Sequence, residues 1–145
     1  MNYARLALAA VAGTVFDACY GFTVYGMLLA PEFNRYPGVY RAMDVGPSYL
    51  PLMFVGVFAA VCVATAIYAK GYEGGGAIEG VRFGVLLALF GSFAFSGVNY
   101  ATLNIGRRLA LEIAAAGFVE WFVIGAIIGL VYRPSQASSR QTAGV

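Results

Sequence analysis

The stretch LPLMFVGVFAAVCVATAIYA, residues 50–69, decides the fold class of this chain. It contains no charged residue and ends at Lys70. At a rise of about 1.5 Å per residue, a helix of this length crosses the roughly 30 Å hydrocarbon core of a bilayer. Because backbone N–H and C=O groups in lipid must be hydrogen-bonded within the segment, the stretch is predicted to be a transmembrane helix.

Three further apolar runs of similar length occur in the chain, at residues 6–29, 81–103 and 109–132. We therefore predict an all-α fold, a four-transmembrane-helix bundle with short loops over residues 1–132. One longer loop, at residues 30–49, carries prolines and tyrosines that predict a location at the membrane interface. Residues 133–145 are polar and are predicted to form a disordered tail.

The composition limits the functions open to the chain. Apolar residues make up 61% of its 145 residues and charged residues 11%, whereas soluble domains carry roughly 25% charged residues. The net charge of +2 is scattered, so we expect no nucleic-acid partner; the lipid bilayer, copies of the chain or other membrane subunits are the expected partners. The absence of histidine excludes a histidine-ligated haem, chlorophyll or metal, and we expect no cofactor and no metal site.

The basic residues favour one orientation in the membrane. Four spans place both termini on the same side, which would hold Arg5, Lys70, Arg82, Arg133 and Arg140. The opposite side would hold Arg35, Arg41, Arg107 and Arg108. Since basic residues accumulate on the cytoplasmic side, this small excess favours cytoplasmic termini.

Three short motifs follow one another in a recognisable order. They are YGMLL at residues 25–29, EGVRFG at residues 79–84 and GLVY at residues 129–132. With the longer loop and the glycine-rich connection between them, this order resembles that of a broad group of small, uncharacterised bacterial four-helix integral membrane proteins. The resemblance covers most of the chain. It implies a location in the bacterial inner membrane and carries no activity.

Small residues recur at every fourth position, most regularly in the third apolar run. Such residues let two helix backbones approach closely in lipid, where the hydrophobic effect does not drive helices together. The residues predicted to pack helices in this way are Gly13, Gly21, Gly80, Gly84, Ala88, Ser92, Ser96, Gly125 and Gly129. This packing lies either within the bundle or between copies of the protein, and the pattern leaves both open.

Two acids, Asp17 and Glu120, fall near the middle of their apolar runs. An ionised carboxylate at that depth costs several kcal/mol, and no basic residue shares the depth. Both side chains should therefore face the bundle interior and either be neutral or meet a cation or water. Thr14 and Tyr20, near Asp17 on the same helix, are candidate hydrogen-bond partners. The acids form either a proton- or cation-handling pair beside a polar cavity, or a hydrogen-bonded contact that only packs helices.

A second polar cluster is predicted at the membrane surface, where the third run ends and the fourth begins. It contains Arg107, Arg108, Glu112, Asn99 and Asn104. Arg108 and Glu112 lie one helical turn apart and can pair. The cluster is either an anion or lipid-headgroup site, or a set of arginines that extend to the surface and anchor the helix end.

Three functions remain open on these residues. The expected one is a structural or accessory membrane subunit, since the chain has small-residue faces and no catalytic residue that we recognise. The second is a small proton- or cation-coupled transporter or channel that uses Asp17 and Glu120. The third is a membrane enzyme that binds a lipid or anion near Arg107, Arg108 and Glu112.

Overall fold

The computed structural model describes residues 1–41 and 46–133, and within these ranges the chain is helical and has no strand. The helices are α1 (Tyr3–Leu28), a short α2 (Ala30–Phe33), α3 (Leu50–Lys70), α4 (Gly76–Thr102) and α5 (Arg107–Val131). In the described part of the chain, four of them are long and apolar enough to cross a membrane. This confirms the predicted all-α class with four long apolar helices. Apart from Arg133, the predicted disordered tail lies outside the described residues.

The start of α4 differs from its prediction. The apolar run begins at residue 81, but the helix begins at Gly76, about one turn earlier. The Glu79 carboxylate accepts hydrogen bonds from the backbone N–H groups of Gly75 and Glu73, at 2.7 and 2.9 Å. An acid that binds free N–H groups in the first turn stabilises a helix N-terminus. Glu79, which precedes the apolar run, therefore caps the helix.

The long helices pack unevenly. α1 packs against both α3 and α5, and α5 packs along α4, whereas α3 and α5 share only a short contact. Between α3 and α4 lies an apolar cavity of about 420 Å³, which Trp121 of α5 also lines. Going around the bundle, the helices thus follow the order α3, α1, α5 and α4. The poorest packing between neighbouring helices is between α3 and α4, where the cavity lies.

The closest helix contact is a glycine seam formed by Gly80 and Gly84 of α4 with Gly125 and Gly129 of α5. A methyl group on Gly80 would lie 2.5 Å from the Gly125 carbonyl oxygen, and one on Gly129 would lie 2.6 Å from the Gly80 Cα. These neighbours are backbone atoms, which cannot swing aside as a side chain can. The small residues predicted at these four positions therefore pack α4 against α5 within one chain.

Two other positions of the predicted small-residue faces behave differently from each other. A methyl group on Gly13 would lie 2.9 Å from the Val61 side chain, so α1 and α3 approach closely there. At Gly21 the nearest atom is 4.0 Å away on the Tyr25 ring. The expectation of close packing at Gly21 is wrong, because the helices have already separated at that level.

The segment after α1 folds back onto the start of α5. Phe33 and Tyr40 stack edge to face at 4.7 Å, and the Tyr36 hydroxyl accepts a hydrogen bond of 3.0 Å from the Gly106 backbone N–H. The fully buried Leu109 lies among these side chains. Burial raises the pKa of the Tyr40 phenol above its ordinary value, and the neighbouring Tyr36 adds to this. The described part of the longer loop is therefore a packed cap on one end of the bundle.

Candidate functional site

The structure brings Asp17 and Glu120 together, although they belong to the first and last long helices. Both side chains line the same cavity, and Asp17 is only 8% exposed. Two carboxylates that share a poorly hydrated site repel each other, which favours protonation of at least one of them. The two acids are therefore a candidate proton-binding pair near the middle of both helices.

Tyr25 is the third polar member of the site. Its hydroxyl donates a hydrogen bond of 3.0 Å to Oε2 of Glu120. On a regular α-helix, Tyr25 would lie about 80° around the axis from Asp17, so helical spacing alone does not pair the two residues. Here the last part of α1, Val24–Leu28, is a π-helix, and the backbone N–H of Leu29 reaches the Val24 carbonyl five residues back, at 2.8 Å. The sequence carries no signal for this widened turn.

The partners expected for Asp17 on its own helix bind elsewhere. The Thr14 hydroxyl donates to the Ala10 carbonyl at 2.8 Å, one turn back in α1. The Tyr20 hydroxyl donates to the Ala116 carbonyl at 2.9 Å, across the contact between α1 and α5. Thr14 is therefore not part of the site, and Tyr20 positions α5 one turn before Glu120.

A cavity of about 430 Å³ opens beside the acid pair, between α1, α3 and α5. Its polar lining consists of Asp17, Glu120 and Tyr25. Its large apolar lining residues are Phe22, Leu50, Met53, Phe54, Val57 and Trp121. None of the described residues that line it is basic. The acids thus form the polar end of an otherwise hydrocarbon and aromatic chamber.

A smaller cavity of about 180 Å³ lies on the other side of Glu120, against α4. Ser92 and Ser96 line it, and both belong to a second π-helix, Ser92–Gly97. The two serines lie where this π-helix packs against α5, beside the cavity, so their role in close helix packing stays a prediction. Tyr25, Glu120 and Trp121 line both cavities. The site therefore lies between the larger and the smaller cavity, with the two π-helices on either side of it.

The predicted surface cluster is formed only in part. Arg108 pairs with Glu112 at 2.8 Å, as the spacing predicted, and also with Glu32 at 3.2 Å. Glu32 is buried in the short α2 and pairs with Arg35 at 3.3 Å; no helical spacing linked it to α5. Two acids and two arginines balance, so this arrangement has no excess positive charge for an anion. It fastens the loop to α5.

The remaining members of that cluster lie apart from these ion pairs. Arg107, Asn99 and Asn104 are exposed, and their side chains make no hydrogen bond or ion pair within residues 1–41 and 46–133. The lipid-headgroup interpretation stays a prediction for these three residues.

Comparisons with known proteins add no family to this geometry. No protein-family model matches the chain, and neither curated proteins nor solved structures give a significant match. The resemblance to a group of bacterial four-helix membrane proteins therefore stays a prediction.

Proposed function

We propose that this protein is a small membrane carrier that exchanges protons or cations at a site formed by Asp17 and Glu120. One observation carries the proposal: Asp17 of α1 and Glu120 of α5 both line the wall of one cavity of about 430 Å³. Since no basic residue lines that cavity among the described residues, positive charge at the site comes from a proton or a bound cation.

The position of the pair couples proton binding to cation binding. An ionised carboxylate near the centre of a bilayer costs several kcal/mol, and two adjacent carboxylates also repel each other. The empty site therefore keeps at least one proton. A cation that enters beside the pair offsets the negative charge left when a proton departs, so binding of one favours release of the other.

The backbone around the pair supports a site that changes shape. π-helices occur mostly as single turns at functional positions, and here one lies on each side of Glu120, at Val24–Leu28 and Ser92–Gly97. A segment that already departs from α-helical hydrogen bonding can change its turn at a lower cost than a regular helix. We expect these segments to move when the site opens to either side of the membrane.

The structural or accessory role stays a prediction that the geometry does not favour. Its main support was the small-residue face of the third span, and Gly80 and Gly84 of that face are packed against α5 within the chain. Location in a bacterial inner membrane with cytoplasmic termini also stays a prediction.

Flux measurements with isosteric variants test the proposal. The protein is reconstituted into liposomes that contain a pH-sensitive dye, and proton flux is driven by a gradient of a monovalent cation, either inorganic (Na⁺ or K⁺) or organic. We expect Asp17→Asn and Glu120→Gln each to reduce the flux to the level of empty liposomes. Infrared difference spectra on raising the pH should show a protonated carboxyl band in the native protein that changes in both variants.

Glu73→Gln is the matched control, because it removes an acid from an exposed loop. It should transport like the native protein. The proposal is overturned if flux and the carboxyl band are the same in the native protein and in both acid variants.

A further inference from the structure

We infer that the cavity beside Asp17 and Glu120 binds a lipophilic organic cation with a single positive charge. This inference rests on the function proposed above and names its ligand class. It follows from the division of the cavity wall into an acidic end and an aromatic and aliphatic remainder.

The position of the cavity suits a ligand that dissolves in the membrane. Its inner end lies at Asp17 and Glu120, near the middle of their helices, and its outer end at Leu50 and Met53, in the first turns of α3. Leu50 and Met53 are 43% and 51% exposed, so the chamber opens toward the outer surface of the bundle. A volume of about 430 Å³ lies within the range of pockets that hold drug-sized molecules. An amphiphilic ligand could therefore enter sideways, with its charge toward the acids.

The wall does not suit a bare inorganic cation. Hard metal ions require about six oxygen ligands, whereas this chamber offers two carboxyl groups and the Tyr25 hydroxyl. No group of three or more acidic, cysteine or histidine residues is placed to hold a metal ion within the described ranges. An ion that lost its water here would not recover the lost contacts from hydrocarbon side chains.

The cavity wall offers an organic cation two kinds of favourable contact: aromatic rings for its charge and aliphatic side chains for its apolar groups. Aromatic rings of Phe22, Phe54 and Trp121 line the wall and can attract a positive charge through their faces. Aryl or alkyl groups on the cation would pack against Met53 and Val57. Such groups also spread and shield the charge, which lowers the cost of leaving water.

The exchange step balances in charge and atoms. The uncharged pair holds two protons. When one monocation binds, one O–H bond breaks and one proton leaves to water, so that the pair keeps one shared proton and one negative charge. The loaded site is then neutral, and no oxidant or reductant is needed.

The single tryptophan of the chain makes binding measurable without a label. Trp121 lines the cavity, so its fluorescence reports on occupancy. We would titrate the detergent-purified protein with tetraphenylphosphonium and, separately, with tetraphenylborate, an anion of the same shape. We expect a saturable fluorescence change with the cation alone and release of one proton per bound cation. Asp17→Asn and Glu120→Gln should each weaken binding about tenfold or more, through loss of a charged partner.

A pair of phenylalanine variants tests the aromatic part of the wall. Phe54→Leu should weaken tetraphenylphosphonium binding roughly two- to thirty-fold, the range expected for loss of one cation–π contact. Phe58, one turn further along α3, does not line the chamber, and Phe58→Leu should bind like the native protein.

The outcomes separate this inference from the proposed function. If tetraphenylphosphonium fails to bind while proton flux still depends on Asp17 and Glu120, the ligand class is wrong and the exchange site stands. Equal binding of cation and anion, or unchanged binding in Glu120→Gln, also overturns the ligand class. If the flux is independent of both acids, the proposed function fails first and the inference fails with it.

Discussion

The two ends of the contact between α4 and α5 are built in opposite ways. Toward the loop at residues 71–75, backbone meets backbone at Gly80, Gly84, Gly125 and Gly129, with no room for a methyl group. Toward the turn at residues 103–106, α4 becomes a π-helix and a cavity of about 180 Å³ lies between it and α5. The tightest backbone packing thus lies on one side of Glu120 along α5, and the π-helix with its cavity lies on the other side.

This difference indicates how the site can change without unfolding the bundle. The glycine seam holds α5 in register with α4, and its nearest member on α5, Gly125, lies five residues beyond Glu120. At the opposite end of α5, the ion pair between Glu32 and Arg108, here called the polar rim, joins α2 to α5. It is weaker than the glycine seam because Arg108 is largely exposed to solvent. Motion is therefore expected on the side of the acids, and the variants below test that expectation.

The largest loss of stability is expected when a side chain is introduced into the glycine seam. Gly125→Val places a branched side chain against the backbone of α4, and we expect a loss of about 3 kcal/mol or more in unfolding free energy, because backbone atoms cannot relax around it. Thermal or denaturant unfolding in mild detergent, followed by circular dichroism, measures this. Gly56→Val is the matched control, since nothing lies within 4 Å of a methyl group at Gly56. Equal stability of the two variants would contradict the seam.

A smaller effect is expected at the polar rim. Glu32→Gln removes the acid shared by Arg35 and Arg108, and we expect a loss of about 1 kcal/mol, since both arginines are largely exposed and screened. Hydrogen exchange should quicken at residues 30–41 and at the start of α5, and stay unchanged along the glycine seam. Exchange that quickens equally at both ends would show that the two regions are not independent.

The smallest effect is expected from Tyr25→Phe. It removes one hydrogen bond to Glu120 and should change the unfolding free energy by at most about 1 kcal/mol. The carboxyl band of the acid pair in infrared spectra should nevertheless shift, because Glu120 loses a donor. Tyr3→Phe, at an exposed position in α1, should leave both properties unchanged. A band identical in Tyr25→Phe and native protein would remove Tyr25 from the site.

The sequence predicted the four long helices, because their apolar runs have the length and composition of membrane spans, and it placed the two acids near the middle of their runs. An uncharged run such as residues 50–69 has few alternatives to a helix, and an acid in mid-span must find a polar neighbour. Which neighbour it finds depends on how α1 and α5 are rotated against each other. That rotation is set by tertiary contacts such as the hydrogen bond from Tyr20 to Ala116, and no local pattern contains it.

The omissions arose where a residue acts across helices. Tyr25 was missed because its partner Glu120 lies on another helix, and Glu32 because it lies in a short helix far in sequence from Arg108. The sequence also carries no signal for the two π-helices, Val24–Leu28 and Ser92–Gly97. Helical periodicity within one segment detects none of these features.

The pairing of the first long helix with the last has a consequence for biosynthesis. Asp17 is synthesised long before Glu120, so until α5 is made this acid lacks the partner that it has in the folded chain. We expect it to stay protonated, or to be sheltered by other proteins, until α5 arrives. Arrival of α5 then supplies both the acid's partner and the glycine seam with α4, so a single helix completes the assembly of the bundle.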